Sequence, residues 1–342
     1  MKKHLFTNGL VPAALLLAFA GCSAFQVDKE EKGPKTLFTW AEAKKENGEK
    51  KEGVGKDDVG KDDVGKDDKE ATKAQHQIRA TESEPDEIVT DRPDFTEASS
   101  TVGKGRFQLE AGYTFFQNHG KGESFQGNSY PEMLFRIGCF ADWFELRIGQ
   151  NFVSDLSFLN DGSRQQANGA NDLYLGVKLG LTEQKAFRPE TAMILQMTVP
   201  TGDDSLTSGG VLPGINFLYS WDIIEDFLSI GGSTQGNKVR GDFTIPAFMG
   251  VIDLAFDNHS YMEFAQSITV NYTLTKKLGA FTEWFGLFPM SAQVEDVGPE
   301  YYLDGGFTYK ITRNFQYDIR AGVGLNSHAA DLFAGTGFAV KY

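Results

Sequence analysis

Hydrophobic and polar residues alternate with period two over most of the chain from Phe107 onward. Phe107, Leu109, Ala111, Tyr113 and Phe115 alternate with Gln108, Glu110, Gly112 and Thr114. The same beat recurs in Phe144–Ile148, Leu173–Leu181, Met262–Leu274, Phe307–Ile311, Phe315–Val323 and Leu332–Tyr342. In Met133–Ile137 it is broken by Leu134, and Leu278–Phe288 is of mixed polarity. Strict alternation predicts strands with one apolar and one polar face, because successive side chains of a strand point to opposite sides. Read this way, the chain carries about twelve strands of roughly ten residues.

The connections alternate too. Phe140–Asp142, Asp222–Asp226, Thr275–Lys277 and Thr312–Asn314 are short, and Thr182–Pro189 is somewhat longer. Asn118–Asn128, Ser154–Gly169, Gly202–Gly210, Asn237–Ser260 and Pro289–Glu300 are long and polar; Ser327–Ala330 is short but falls in their phase. This rhythm predicts an all-β fold, a transmembrane antiparallel up-and-down β-barrel with tight turns on the periplasmic side. A secreted sandwich, with the apolar face against a second sheet, is the alternative. Three features favour lipid. Charges keep to one face: Glu110, Glu132, Arg136, Glu145, Arg147, Asp172, Lys178, Glu263, Asp304, Lys310, Asp318 and Arg320. Glycine is frequent on that face, as strands curving around a crowded interior require. Aromatics gather near strand ends, among them Trp143, Trp221, Tyr301 and Tyr342, as interfacial girdles require.

Composition divides the rest of the chain. Residues 1–21 read as an export signal: Lys2 and Lys3, then an apolar run over Leu10–Ala20 too short to span a bilayer. Two cleavage readings stand. "AFAGCS" resembles a bacterial lipobox, which would make Cys22 a lipid attachment site, although Phe19 sits where Leu is usual. Ala18-x-Ala20 also suits ordinary signal peptidase. On either reading Cys139 is expected to lack an internal partner. Residues 22–90 are rich in Lys, Glu, Asp and Gly and carry VGKDD three times in tandem, from Val54, Val59 and Val64. Such a stretch buries too little apolar surface to offset its chain entropy, so a disordered tether is expected there. Residues 91–342 form the barrel. The net charge of −14 over 342 residues argues against a nucleic-acid partner, which normally meets a basic stripe.

Asp91–Ser99 (DRPDFTEAS), Asp172–Glu183 (DLYLGVKLGLTE), Gln196–Asp204 (QMTVPTGDD) and Gly322–Tyr342 follow one another in an order that resembles the transporter family named for a MetA pathway of phenol degradation. The resemblance covers Asp91 to Tyr342. It implies an outer-membrane β-barrel of a Gram-negative-type cell that passes aromatic or other hydrophobic compounds, while the even number of strands with their short turns inside is what puts the N-terminus in the periplasm. The terminal Tyr342 is similar to the signal by which the barrel-assembly machinery recognises its clients, where Phe is commoner. The VGKDD repeats are not part of the family pattern.

Candidate chemistry changes this picture little. His119, His259 and His328 fall in predicted loops, with Ser260 and Ser327 beside two of them, and His76 in the tether. Neighbouring Ser and His letters do not make a nucleophile–base pair, which must converge in space with a third group. No catalytic set, metal site or cofactor is therefore expected. The loop acids Asp203, Asp204, Asp253, Asp257, Glu295 and Asp296 read as solvated charge without calcium-loop spacing. The inward charges admit two readings: rings that select solutes in a narrow channel, or ion pairs that satisfy one another. Asp91, Arg92, Pro93, Asp94 and Phe95 precede the first strand and are expected to fold into the lumen as a plug, with a plain linker as the alternative. The leading function is passive passage of small solutes through a monomer set in outer-membrane lipid. A closed structural or surface-binding barrel is the rival, and a barrel-surface hydrolase the third reading.

Overall fold

The computed structural model describes residues 35–42, 44, 87–119, 123–160, 163–240, 243–247, 250–254, 260–290 and 298–342. The predicted signal, the VGKDD repeats, Cys22, His76, Asp257, His259, Glu295 and Asp296 lie outside them.

Among the described residues, twelve antiparallel strands close into one barrel. In chain order they begin with β1 (Phe107–His119), β2 (Glu123–Gly138) and β3 (Phe144–Asn160). β4 (Ser163–Ala170) and β5 (Leu173–Thr182) are two parts of one barrel strand, both pairing with β3. β6 (Glu190–Val199), β7 (Leu212–Ile224) and β8 (Leu228–Arg240) follow. β9 (Phe243–Ala247) and β10 (Gly250–Leu254) pair only with each other, as a hairpin outside the barrel sheet. The wall continues with β11 (Ser260–Thr273), β12 (Leu278–Met290), β13 (Glu300–Thr312), β14 (Phe315–Gly324) and β15 (Leu332–Lys341). β15 pairs with β1 from Gln108↔Lys341 to Gln117↔Leu332, which shuts the ring. Beyond it, Tyr342 exchanges backbone bonds with Phe107 at 2.7 and 3.0 Å.

The period-two reading holds most plainly in β1 and β14. β14 buries Gln316, Asp318, Arg320 and Gly322 and exposes Tyr317, Ile319, Ala321 and Val323. Leu195, Ile215, Phe217, Ile268, Phe307 and Phe338 are likewise exposed on the outside. A wall that is apolar outside and charged inside is stable only where the outside meets acyl chains, so the barrel is transmembrane. Aromatic pairs mark both ends of the wall: Tyr219–Trp221 and Phe107–Tyr342 near the short turns, Trp284–Tyr301 and Tyr113–Tyr130 near the loops.

Local chemistry sets the short turns. Thr275 Oγ1 accepts the N–H groups of Lys277 and Leu278 at 3.2 and 2.9 Å, a hydroxyl-closed turn. Phe140, Ala186 and Asp226 each take a left-handed backbone in three of the other turns. On the opposite side the strands outrun the expectation. β2 and β3 reach 16 and 17 residues, so stretches expected as loops over 118–128 and 154–169 are largely strand.

Two further differences concern the ends of the wall. Trp143 packs against Trp40, from a short helix over 37–42, with ring centroids 5.5 Å apart. Cys139 is buried and disulfide-bonded, which corrects the expectation of an unpartnered thiol.

Candidate functional site

The inward face of a strand is a fixed register of every second residue, so the barrel gathers those side chains into one lumen. Glu110, Glu132, Arg136, Glu145, Arg147, Lys178, Glu263, Asp304, Asp318 and Arg320 are all buried. Most of these charges do not line open water. The chain between Glu87 and Val102 lies among them.

Asp91 is the centre of this arrangement. Its carboxylate meets Arg136 of β2 at 3.2 Å, Arg147 of β3 at 2.5 Å and Lys178 of β5 at 2.9 Å. Its own N–H, and that of Arg92, donate to Glu110 of β1. Burial alone would raise the Asp91 carboxyl; Arg136, Lys178 and Arg147 outweigh it and hold the group well below the usual carboxylate range. Arg92 runs the other way, to Asp318 of β14 at 3.1 Å and Glu132 of β2 at 3.5 Å. Pro93 offers its carbonyl to Arg320 Nη1 at 3.0 Å.

The next residues turn on a single carboxylate. Phe95 N–H and Thr96 N–H donate to the two oxygens of Glu283, on β12, at 2.6 and 2.7 Å. Asp94 lies near the same Glu283, and burial together with that charge raises the Asp94 carboxyl well above its ordinary value. Glu97 reaches Arg147 at 2.8 Å, Ser99 Oγ donates to Glu190 of β6 at 2.6 Å, and Val102 N–H donates to Glu145 at 2.9 Å. The segment is thus held by side chains from strands all around the ring. Two inward glycines make room for it. An added Cβ at Gly112 would lie 2.2 Å from Arg92 Nη1, and one at Gly337 would lie 2.4 Å from Arg92 Nε. These two glycines face each other across β1 and β15.

Two of the twelve sequence-predicted charges stand apart from the network around Asp91. Asp172 is buried but holds the 200–211 connection, accepting Gly202 N–H at 3.0 Å and Ser208 Oγ–H at 2.6 Å. Lys310 is half-buried at the turn end and pairs with Glu87 at 2.8 Å. Sequence reasoning missed Glu283, because β12 is apolar on both faces around it. It also missed an apolar storey toward the loop end, where Phe116, Phe285, Tyr302 and Phe333 are buried with Phe95, Leu206 and Ala330. The legible signal was an aromatic falling in the polar phase of an alternating strand, as Phe116 does after Gln108, Glu110 and Thr114.

Toward the short turns the lumen is open. A cavity of about 520 Å³ lies between the inserted segment and the wall, lined among others by Thr90, Asp94, Ser99, Tyr219, Asn271 and Lys310. His119 is exposed, with Nδ1 3.5 Å from Asp331. His328 and Ser327 sit in the connection before β15, and Ser260 opens β11. Among the described residues no group of three or more His, Cys, Asp or Glu is arranged to hold a metal ion.

No curated protein matches the chain in sequence. Several solved barrels are similar to it in structure. An outer membrane channel from Pseudomonas putida F1 aligns with a TM-score of 0.54 at 10% identity, over 73% of this chain and 99% of that one. The NanC porin aligns at 0.45 and 10% identity, over 69% of this chain and 100% of that one. The CymD monoaromatic hydrocarbon channel aligns at 0.37 and 9% identity, over 69% and 88%. The Pseudomonas channel shares the fold described above. Residues 90–342 match the family described as "Putative MetA-pathway of phenol degradation", to which this chain belongs.

Proposed function

We propose that this chain is an outer-membrane channel for passive passage of small hydrophobic or aromatic solutes, stoppered at rest by its own residues 87–102. The observation that carries the reading is how the stopper is held. Asp91, Arg92 and Glu97 are bound to the wall by ion pairs, and the segment adds no strand to the sheet. Buried ion pairs lose much of their Coulomb gain to desolvation, and both partners recover hydration if the lumen floods. Such a stopper is separable from its wall in a way that an apolar core is not. The cavity at the turn end gives the segment somewhere to move.

The solute class rests on the family and on the aromatic storey of the lumen. Entry of the inserted segment at the short-turn end supports a periplasmic N-terminus. An export signal over 1–21, ending before Cys22 or near Ala20, and a tether over 22–90 fit that orientation. Tyr342, exposed beside Phe107, is available as an assembly signal on a monomer.

The rival reading, a closed structural barrel, is favoured by the packing of Leu206 and Ala330 over the aromatic storey. Planar-bilayer conductance and liposome swelling separate the two, using the native chain and one lacking residues 91–99. The channel reading expects low native conductance and a marked increase on deletion. No flux of any solute in either form, with both barrels folded, selects the closed barrel.

A further inference from the structure

The loop-side storey of the lumen holds an aromatic stack in which the inserted segment takes part. The Phe95 ring lies flat on Phe285, centroids 4.4 Å and planes 4° apart. Phe285 in turn stacks on Tyr302 at 4.7 Å and 20°, and Phe333 meets both at 6.3 and 6.0 Å. Three of these rings belong to wall strands β12, β13 and β15. The fourth does not: Phe95 is carried by the stopper, and its backbone is fixed through the N–H groups of Phe95 and Thr96 to Glu283. A flat aromatic face in an apolar storey, covered by a single ring on a separable segment, has the form of a ligand site occupied from within.

We infer that the face of Phe285 covered by Phe95 at rest binds a single-ring aromatic solute, with Tyr302 and Phe333 backing the Phe285 ring. Solute and Phe95 compete for the Phe285 face. The inference rests on the passage reading above and locates the contact by which the solute releases the stopper. The exchange is ring for ring, so the apolar burial lost by Phe95 is matched by that gained by the solute. What must break are the Phe95 and Thr96 N–H bonds to Glu283 and the Thr96 hydroxyl bonds to Glu283 and Ser267, all of which water can satisfy once the segment moves. A polar solute of the same size gains neither the stack nor the burial, so the site selects by face and by polarity. Only a ligand that binds the uncovered Phe285 face better than the covered one shifts the balance between the two states.

The test uses the full barrel in lipid nanodiscs, with phenol as the ligand and backbone hydrogen exchange as the readout. Phenol is expected to release the amides of Phe95 and Thr96 from protection in a saturable way, while amides of β1, β12 and β15 stay protected. Cyclohexanol, similar in size but without a flat face, should need about 5-fold more for the same effect, the usual margin of an aromatic pair. Phe285→Leu weakens the stack of Phe95 and of phenol alike and should therefore erase most of the margin between phenol and cyclohexanol. Should that variant fail to fold, the cyclohexanol comparison on the native chain still decides. Unchanged protection at saturating phenol, or equal loss across the wall strands, overturns the inference. Phenol flux into vesicles is measured in parallel. Flux with Phe95 and Thr96 still protected leaves passage standing and removes the site. Their release without flux keeps the site and removes passage.

Discussion

Arg92 grips Asp318 with two parallel bonds, Nε to Oδ2 at 3.2 Å and Nη2 to Oδ1 at 3.1 Å, across 226 residues of sequence. Both side chains are buried, so each charge depends on the other. Arg92→Met leaves the buried Asp318 and Glu132 without this cation. Loss of one partner of a buried pair costs about 3–5 kcal/mol, and adding Asp318→Asn should return part of it. Thermal unfolding of the detergent-solubilised barrel reads both. A single variant as stable as the native chain would show that the pair is solvated.

Gly112→Ala tests the fit of the stopper without touching its charges. The three nearest atoms to the new Cβ all belong to the Arg92 guanidinium, the closest at 2.2 Å. Alanine is otherwise a better strand residue than glycine, so the wall itself should fold. On the channel reading the variant conducts more than the native chain in planar bilayers. Gly236→Ala is the control, because its Cβ would meet only Ile215, at 3.9 Å. Equal conductance in the two variants counts against a stopper at rest.

Asp91 and Asp94 should respond to acid in opposite senses. The folded Asp91 carboxyl is held below its unfolded value by Arg136, Lys178 and Arg147 after they overcome its burial. Its contribution is complete above the unfolded value of about 3.9 and is lost as the pH falls toward the folded one. Burial and Glu283 raise Asp94, so its contribution is present below about 3.9 and lost as the pH rises through the folded value. At pH 7, Asp91→Asn should lower the unfolding temperature and Asp94→Asn should hold or raise it. The gap between them should narrow on acidification to about pH 3. The reverse order at pH 7 would refute this account.

Asp172→Ala should loosen the loop over the mouth and leave the lumen network intact. The substitution removes the acceptor for Gly202 N–H, Ser208 N–H and Ser208 Oγ–H at once. Limited proteolysis should then cut within 200–211 several times faster than in the native chain, while Arg136→Met should leave that rate unchanged.

The barrel was legible because its two solvents differ so sharply. Each wall strand with one face in lipid and one in a charged lumen writes that difference as period two, and β14 shows it without a break. Legibility failed where a strand has no polar phase. Inward Phe281, Phe285 and Leu287 alternate with outward Trp284 and Phe288, so β12 looks apolar throughout and hides Glu283. It also failed where polar strands extend past the expected loop boundary, as β2 and β3 do. Asp91–Phe95 are singled out in the sequence by their charge beside a proline. Their partners are not, since Lys178 and Asp318 stand 87 and 226 residues away, and no local pattern announces such pairs.

The paired glycines Gly112 and Gly337 carry one last consequence. They sit on the first and final strands of the wall, and the guanidinium they accommodate belongs to a residue upstream of both. The berth for Arg92 is therefore split across the seam and is whole only once β15 has zipped onto β1. A half-built wall offers that cation no seat, so seating it reports that the cylinder has been sewn shut.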